Sequence, residues 1–329
     1  MVLSVRKMEY IQGKVRFSQE RESVITLGKF DGVHIGHQKL IRAMEQAKDG
    51  RESIVFTFDV PPVSDGMADV RTNVRGGLLT TNQERAELIS DLGVDKLIEC
   101  PFIPEISGME PKDFLREVLA GQLKAKEIFV GPDFRFGYKR RGDVALLAAC
   151  QEIYGYQLTV VEKACCHGEE VSSTGIRDRI RKGMLQEANE MLGRALLYSG
   201  EILYGNQLGR TIGFPTANLL VQPEKAVPPF GVYAATFYVE NQRLNGIANI
   251  GRKPTIQAEN GEENPVGIET HLFDFQEDIY GKEARVAFHE FIRPEKKFES
   301  VEAMREEIER NEKQVREYFE KCSRMNELY

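Results

Sequence analysis

The sequence predicts an α/β protein in two parts, a parallel, doubly wound sheet followed by a small antiparallel β-barrel. Up to about residue 186, apolar strand-like runs alternate with segments of helical period, and βα alternation is typical of a parallel sheet. After that point six strand-like runs follow one another with no helix between them, which is typical of a closed antiparallel barrel. A length of 329 residues leaves each part enough chain for its own core.

The first part contains five predicted strands and five predicted helices. The strands are 23–27, 53–58, 95–100, 127–131 and 157–162, and the helices are 37–48, 82–92, 111–122, 143–154 and 174–182. Ligands of such sheets bind beyond the carboxyl ends of the strands. The segments GKFDGVHIGH, FDVPP, GPDFRFG and VSSTGIR all come after predicted strands, so we expect them to meet at one edge of the sheet.

The second part begins with a predicted helix at 187–193. Its strands are 195–204, 213–219, 231–240, 243–250, 267–275 and 284–292, and a charged helix follows at 299–320. The apolar stripe of that helix consists of Val301, Met304, Ile308, Val315 and Phe319. We expect this stripe to pack on the barrel.

Composition excludes several classes of protein. The chain is 41% hydrophobic and 29% charged, and it has no apolar run near the roughly 20 residues of a membrane span. Its net charge of −7 (44 basic minus 51 acidic residues) argues against a broad nucleic-acid surface. The first residues lack the apolar core of a signal peptide, and the five cysteines, with Cys165 next to Cys166, form no disulfide framework. The sequence therefore predicts a cytoplasmic protein that binds no nucleic acid and no membrane.

The segment GKFDGVHIGHQ, residues 28–38, joins the first strand to the first helix. Backbone amides at a helix N-terminus bind anions, and Gly32 and Gly36 permit close backbone approach. His34 and His37, three residues apart, can both face an anion held there. The pattern indicates phosphate handling. A metal site formed by the two histidines is the alternative, although no cysteine or histidine cluster completes it.

Two further segments of the first part indicate a nucleotide. Asp133, Phe134 and the step Phe136-Gly137 precede the basic run 139–141, which suggests a loop around a base and its phosphates or, alternatively, a solvated loop. Three hydroxyl residues, 172–174, precede a helix, where N-capping explains one of them. Arg177 lies one turn later, so this segment favours triphosphate binding.

The segment GRTIGFPTANL, residues 209–219, is a second phosphate motif. Its glycines can wrap phosphates through backbone amides, and Arg210 adds a fixed positive charge. Thr216 and Asn218 offer oxygens on one face of a strand, which suits Mg²⁺. A bulged strand with Pro215 at its edge is the alternative.

Glu269 lies in the strand-like segment GIETHLFDF. It alternates with His271 and Phe273, so we expect its carboxylate to share the inward face of the barrel with apolar side chains. A carboxylate there is unfavourable unless it is paired or functional. Both a catalytic carboxylate and a salt-bridged structural one fit this pattern.

Taken together, these motifs resemble those of the bacterial bifunctional riboflavin kinase/FAD synthetases. GKFDGVHIGHQ, VGPDFRFG and VSSTGIR are similar to the FMN adenylyltransferase motifs, and GRTIGFPTAN, GVYA, NIGRKPT, IETHLFDF and IRPEKKF to those of riboflavin kinase. The resemblance runs from about Val24 to the final helix. It implies a Rossmann-like nucleotidyltransferase domain at 1–186 and a six-stranded flavokinase barrel with its C-terminal helix at 187–329.

The resemblance also implies reactions, ligands and residue roles. ATP phosphorylates riboflavin to FMN in the barrel, and FMN then takes an adenylyl group from a second ATP, giving FAD and pyrophosphate. In the kinase, Glu269 is implied as the base and Thr216 and Asn218 as Mg²⁺ ligands. The implied ATP contacts of the kinase are Gly209, Arg210, Thr211, Gly213 and Pro215.

In the adenylyltransferase, FMN itself is the nucleophile, and His34, His37 and Arg177 are implied as the stabilisers of negative charge. The implied ATP contacts there are Gly28, Phe30, Asp31, Gly32, Gly36, Gly131, Asp133, Ser172, Ser173 and Thr174. Flavoproteins are the expected recipients of the products.

Three departures from the family pattern lie in the first part. The chain has Val60-Pro61 within a segment that often reads Pro-His-Pro, Gly175 in place of a frequent Arg, and Lys29 in place of a common Asn. A chain with one working activity, most simply the kinase, or a non-catalytic flavin-binding module therefore stays an alternative. Class I aminoacyl-tRNA synthetases also contain His-Ile-Gly-His, but no KMSKS-like loop follows here.

Overall fold

The computed structural model describes residues 8–59, 77–204, 214–253 and 264–326. The chain divides into two compact units, Met1–Ser173 and Thr174–Tyr329. This division comes before residue 186, where the sequence pattern changes, and the predicted domain boundary at that residue stays a prediction.

The first unit is built on a six-stranded sheet. Its strands are β1 (Glu9–Gln12), β2 (Ser23–Leu27), β3 (Glu52–Phe58), β4 (Lys96–Cys100), β5 (Ala125–Val130) and β6 (Gln157–Val160). They are ordered β1-β4-β3-β2-β5-β6, and all these pairings are parallel. The predicted doubly wound sheet is confirmed, and its order reverses between β2 and β5. Strand β1 was not predicted, because it is a short, half-exposed edge strand.

Helices cover both faces of this sheet. On one face, α1 (Ile35–Gln46) and α2 (Asn82–Ser90) bury Ile41 and Ile89 against Val24 and Phe129. The other face carries the remaining helical segments, which are Pro104–Ser107, Pro111–Asp113 continuing as a π-helix over Phe114–Gln122, Val144–Ala149 and Gln151–Tyr154. The predicted helix 143–154 is thus two short helices.

A buried ion pair fixes α2 to the sheet. The guanidinium of Arg85 contacts the carboxylate of Glu99 in β4, and the two side chains are 3% and 2% exposed. The same guanidinium donates hydrogen bonds to the carbonyl oxygens of Lys29 (3.1 Å) and Phe58 (3.3 Å). These carbonyls lie at the carboxyl ends of β2 and β3, the edge where ligands of such sheets bind. The pair therefore holds both chain segments at that edge.

The second unit contains a six-stranded antiparallel sheet. Its strands are β7 (Leu196–Glu201), β8 (Thr216–Leu220), β9 (Gly231–Val239), β10 (Gln242–Arg252), β11 (Val266–Leu272) and β12 (Glu283–Pro294). The order is β7-β12-β9-β10-β11-β8, with every pairing antiparallel. A bridge between Leu203 and Asn218 joins the two ends. The predicted six-stranded barrel is confirmed.

Among the described residues, three helices accompany the barrel. They are α3 (Ser173–Arg181), α4 (Leu185–Leu192) and the long last helix α5 (Val301–Asn326). Val315 of α5 is fully buried against the outer face of the barrel, and Phe319 packs beside it, as predicted. Val301 is instead 52% exposed, and Met304 and Ile308 line a cavity. The predicted stripe therefore packs on the barrel only in its second half.

Within the described ranges, no helix combines the length and the apolar character that crossing a lipid bilayer requires.

Because the Arg85–Glu99 pair is buried, we expect it to contribute to the stability of the first unit. Arg85→Met should lower the free energy of unfolding by roughly 3–5 kcal/mol, because Glu99 would stay buried without its cationic partner. Urea unfolding followed by circular dichroism measures the change. Arg116→Met is the matched control, because Arg116 is 58% exposed in its ion pairs, and it should unfold like the unmodified chain. Equal losses in both variants would contradict a special role for the buried pair.

Candidate active sites

The turn between β2 and α1 has an unusual backbone. Phe30, Gly32 and Val33 have positive φ angles of 50°, 83° and 38°. Glycine adopts this conformation freely, whereas a β-branched valine is strained in it, and such strain is concentrated at functional turns. The Phe30 ring is fully buried and would lie 3.2 Å from a Cβ on Gly28. Phe30 thus packs beneath the turn, and its predicted contact with ATP stays a prediction.

His34 is the N-cap of α1. Its backbone is extended, and its Nδ1 accepts a hydrogen bond from the backbone N–H of His37 at 3.3 Å. A Cβ on Gly36 would lie 3.2 Å from the His34 ring, so glycine lets the imidazole fold over the first turn. The HxGH spacing therefore has a local cause, which is to cap the helix with a histidine.

His37 lies directly against His34. Their ring centroids are 3.6 Å apart with the planes at 16°. Burial, and then the neighbouring His34, lower the pKa of His37 well below 6.5, so its imidazole is neutral at pH 7. Among the described residues, the buried Nδ1 of His37 has no hydrogen-bond partner. Buried polar atoms rarely lack a hydrogen-bond partner. This nitrogen is therefore a candidate ligand contact.

Asp31 braces the same turn. Its carboxylate accepts hydrogen bonds from the backbone N–H groups of Leu79 (2.9 Å) and Thr80 (3.2 Å), and the Thr80 hydroxyl accepts one from the N–H of Gly32 at 3.0 Å. The hydroxyl of Ser173 donates to the Asp31 carbonyl oxygen at 2.9 Å. The structure thus gives Asp31 and Ser173 supporting contacts. No motif in the sequence singled out Thr80.

The loop after β5 contains Gly131 and Asp133. The Asp133 carboxylate is 73% exposed and lies 3.1 Å from the ammonium of Lys163. In the basic run that follows, residues 139–141 are exposed, and Arg141 pairs with Glu110 at 3.2 Å. These contacts fit the solvated-loop interpretation of the basic run.

The structure does not test the other predicted contacts. Ser172 is exposed, while Thr174 and Arg177 belong to the second unit, so their contacts with ATP stay predictions. The predicted kinase contacts Gly209, Arg210, Thr211 and Gly213, and the departure at Val60-Pro61, lie outside the described residues.

In the barrel, three predicted kinase residues lie on neighbouring strands. Thr216 and Asn218 share one face of β8, alternating with the buried Ala217 and Leu219. Asn218 is paired in register with Glu269 of β11. The predicted shared facing of the two β8 oxygens is confirmed.

The prediction that Glu269 lies on the inward face of the barrel is wrong. Ile268 and Thr270 are fully buried, whereas the Glu269 side chain is 45% exposed. Successive strand residues point to opposite faces, so a shift of one residue reverses the assignment. Glu269 and His271 face the cavity beneath α5, and Phe273 of the same segment packs there.

Lys253, at the end of the NIGRK segment, joins this group. Its Nζ donates a hydrogen bond to Asn218 Oδ1 at 3.0 Å and forms an ion pair with the Glu269 carboxylate. The Lys253 side chain is 11% exposed. Sequence reasoning missed this residue, because its two partners are distant in the chain.

A cavity of about 280 Å³ separates this face of the barrel from α5. Its apolar wall includes Val232, Ile247 and Ile308, and its polar edge includes Thr216 and Glu269. The cavity can hold an apolar planar group next to the Glu269 carboxylate.

A second cavity, of about 260 Å³, also reaches Thr216. Pro215, Leu272, Ile279 and Tyr280 line it. The carbonyl oxygen of Pro215 lies 3.1 Å from His271 Nδ1. Because Thr216 lines both cavities, two ligands could meet beside this residue.

Comparison with known proteins separates the same two parts. A model of the FAD synthetase family matches residues 16–175, and a model of the riboflavin kinase family matches residues 192–319. A crystal structure described as a macrolide-efflux protein from Streptococcus pneumoniae is similar, with a TM-score of 0.80 and 28% identity over 94% of this chain and 98% of that one.

Relatives of known name align with nearly the whole chain. The bifunctional riboflavin kinase/FMN adenylyltransferase of Listeria monocytogenes is 35% identical over 91% of this chain and 93% of its own length. The Escherichia coli protein of the same name is 33% identical over 95% of this chain and 98% of its own length. The Bacillus subtilis protein of that name is 33% identical over 92% of this chain and 94% of its own length. Since both family models match as well, the chain belongs to the bifunctional riboflavin kinase/FMN adenylyltransferase family.

Proposed function

We propose that this chain makes FAD from riboflavin in two ATP-dependent steps, with the kinase in the barrel and the adenylyltransferase in the first unit. The observation that carries the kinase step is the group formed by Thr216, Asn218 and Glu269, in which Glu269 lines the first cavity and Thr216 lines both. The observation that carries the adenylyltransferase step is the start of α1, where the backbone is strained and His34 caps the helix. Both family matches support this assignment. A single retained activity is not favoured, since relatives named for both activities align with 90% or more of the chain.

The kinase site fits a divalent metal. The Thr216 hydroxyl, the Asn218 amide oxygen and the Glu269 carboxylate are oxygen donors of the kind that Mg²⁺ prefers. A cation, the Lys253 ammonium, already lies between two of them. Thr216 and Asn218 would hold the metal. When bound, Mg²⁺ neutralises charge on the transferred phosphoryl group.

Glu269 is the proposed base. Its half-exposed carboxylate lies on the wall of the first cavity, within reach of a hydroxyl brought there. It accepts the proton of the ribityl 5′-hydroxyl as that oxygen bonds to the γ-phosphorus of ATP, while the bond from this phosphorus to ADP breaks.

The two cavities divide the substrates between them. The cavity under α5 has the apolar wall that a flavin ring requires, and the second cavity has Leu272, Ile279 and Tyr280 for a nucleoside. Thr216 lies at both, so the phosphates meet the ribityl chain there. Gly209, Arg210, Thr211, Gly213 and Pro215 complete the proposed phosphate contacts.

In the first unit, the N-terminus of α1 binds the triphosphate of the second ATP. A phosphate oxygen of FMN attacks the α-phosphorus, and pyrophosphate leaves. His37, whose buried Nδ1 has no partner among the described residues, and His34 stabilise the developing charge. Further proposed contacts are Gly28, Gly32, Gly36, Gly131, Asp133, Ser172, Ser173, Thr174 and Arg177.

We place both reactions in the cytoplasm. All five cysteines are free, in keeping with a reducing compartment. The products FMN and FAD are then available to flavoproteins, the proposed recipients.

Glu269→Gln tests the base. The substitution keeps the side-chain volume and removes the proton acceptor, so FMN formation should fall on the order of 10²–10⁴-fold. Chromatography of flavins after incubation with riboflavin, ATP and Mg²⁺ measures this rate, and adenylylation of supplied FMN should be unchanged. Glu240→Gln, at an exposed ion pair with Lys282, is the control. An undiminished kinase rate would make Glu269 a structural carboxylate.

His37→Ala tests the second site. FAD formation from supplied FMN should fall roughly 10²–10³-fold, the typical effect of losing one electrostatic stabiliser, while FMN formation from riboflavin persists. Lys39→Ala, at an exposed position of the same helix, should retain both rates. If His37→Ala makes FAD as fast as the unmodified chain, the histidine pair only caps α1.

The kinase unit should function alone. Since α4 begins at Leu185, which is 2% exposed, we expect fragment 183–329 to fold and phosphorylate riboflavin. Fragment 187–329, which starts at the predicted boundary, lacks Leu185 and should melt at a lower temperature. A folded, soluble fragment 183–329 without kinase activity would contradict two independent sites.

A further inference from the structure

The Lys253 ammonium lies at the centre of the proposed kinase site, although the reaction as described gives it no part. It donates to Asn218 Oδ1 at 3.0 Å and pairs with the Glu269 carboxylate. One group therefore bridges the proposed metal ligand and the proposed base. Since three donors radiate from an ammonium, a single lysine can hold both oxygens together.

The path of the Lys253 side chain is built into the sheet. The backbone N–H of Lys253 donates to the Pro265 carbonyl oxygen at 2.9 Å. A Cβ on Gly267 of β11 would lie 2.3 Å from Lys253 Cε, 2.7 Å from Cγ and 3.1 Å from Cδ. The lysine stem thus lies flat across a glycine, in space that no other residue type would leave open. With 11% exposure, this side chain is not an ordinary solvated lysine.

An ammonium and a divalent metal compete for the same oxygens. Mg²⁺ on Asn218 Oδ1 would lie close to a second cation that is hydrogen-bonded to that atom, and two positive charges so close together repel each other. The ammonium must therefore leave Asn218 when metal enters. The flexible stem of lysine permits such a movement.

We propose that Lys253 is a positioning residue, whose ammonium occupies the cation-binding position of the kinase site until the metal binds there. It keeps Glu269 and Asn218 together, and it sets the metal concentration that the site requires. This inference rests on the proposed metal-dependent kinase site.

Lys253→Met tests the competition directly. With Mn²⁺ as the probe, titrated into the full chain and followed by electron paramagnetic resonance, the variant should bind the metal at least about 10-fold more tightly, because the competing charge is gone. Lys282→Met makes the same charge change at an ion pair with Glu240 and should bind like the unmodified chain. The Mg²⁺ concentration for half-maximal FMN formation should also fall in Lys253→Met, with adenylylation of supplied FMN unchanged.

Gly267→Ala provides a second variant that retains the charge. The added methyl group would displace the Lys253 stem, so Mn²⁺ binding should again tighten. In a Lys253→Ala background the three atoms nearest to that methyl group, Cγ, Cδ and Cε of Lys253, are absent, so Gly267→Ala should add nothing. Circular dichroism shows whether each variant is folded.

The outcomes separate this inference from the proposed function. If Asn218→Ala weakens Mn²⁺ binding but folded Lys253→Met binds Mn²⁺ equally or less tightly, the competition is refuted and the metal site stands. If Asn218→Ala leaves Mn²⁺ binding unchanged, the proposed metal site is refuted and the role of Lys253 with it.

Discussion

An acidic chain that binds polyphosphates must attract them with local groups. With a net charge of −7, the overall field of this protein opposes ATP and FMN, so each site depends on what is placed within a few ångströms of the phosphates. The two units meet this constraint differently. The first offers backbone amides at the start of α1, and the second offers oxygen donors around a cation, Lys253.

His37 of the first unit shows how a phosphate site can contain a neutral imidazole before an anion binds. The rings of His34 and His37 are 3.6 Å apart, and burial together with this contact lowers the pKa of His37. A triphosphate at the helix start would favour the protonated ring, because a nearby opposite charge stabilises the charged form. The strained turn at Val33 and the brace from Asp31 keep the rings in place before the ligand arrives.

Much of the fold could be predicted because periodicity is a local property. All six barrel strands and five of the six strands of the parallel sheet occur where the sequence pattern indicated. Alternation also showed that Thr216 and Asn218 share a face, but it could not show which face of β11 is inside, so Glu269 was assigned to the wrong one. The contacts of Arg85 and Lys253 could not be predicted, because their partners are set by tertiary packing and are not adjacent in sequence.

The central claim is that one chain carries both reactions at separate sites. A time course of the purified chain with riboflavin, ATP and Mg²⁺, with flavins and pyrophosphate quantified together, tests it most directly. We predict that FMN appears first, that FAD follows, and that one pyrophosphate is released for each FAD. FMN that accumulates without FAD or pyrophosphate, or riboflavin that stays unchanged, would contradict it.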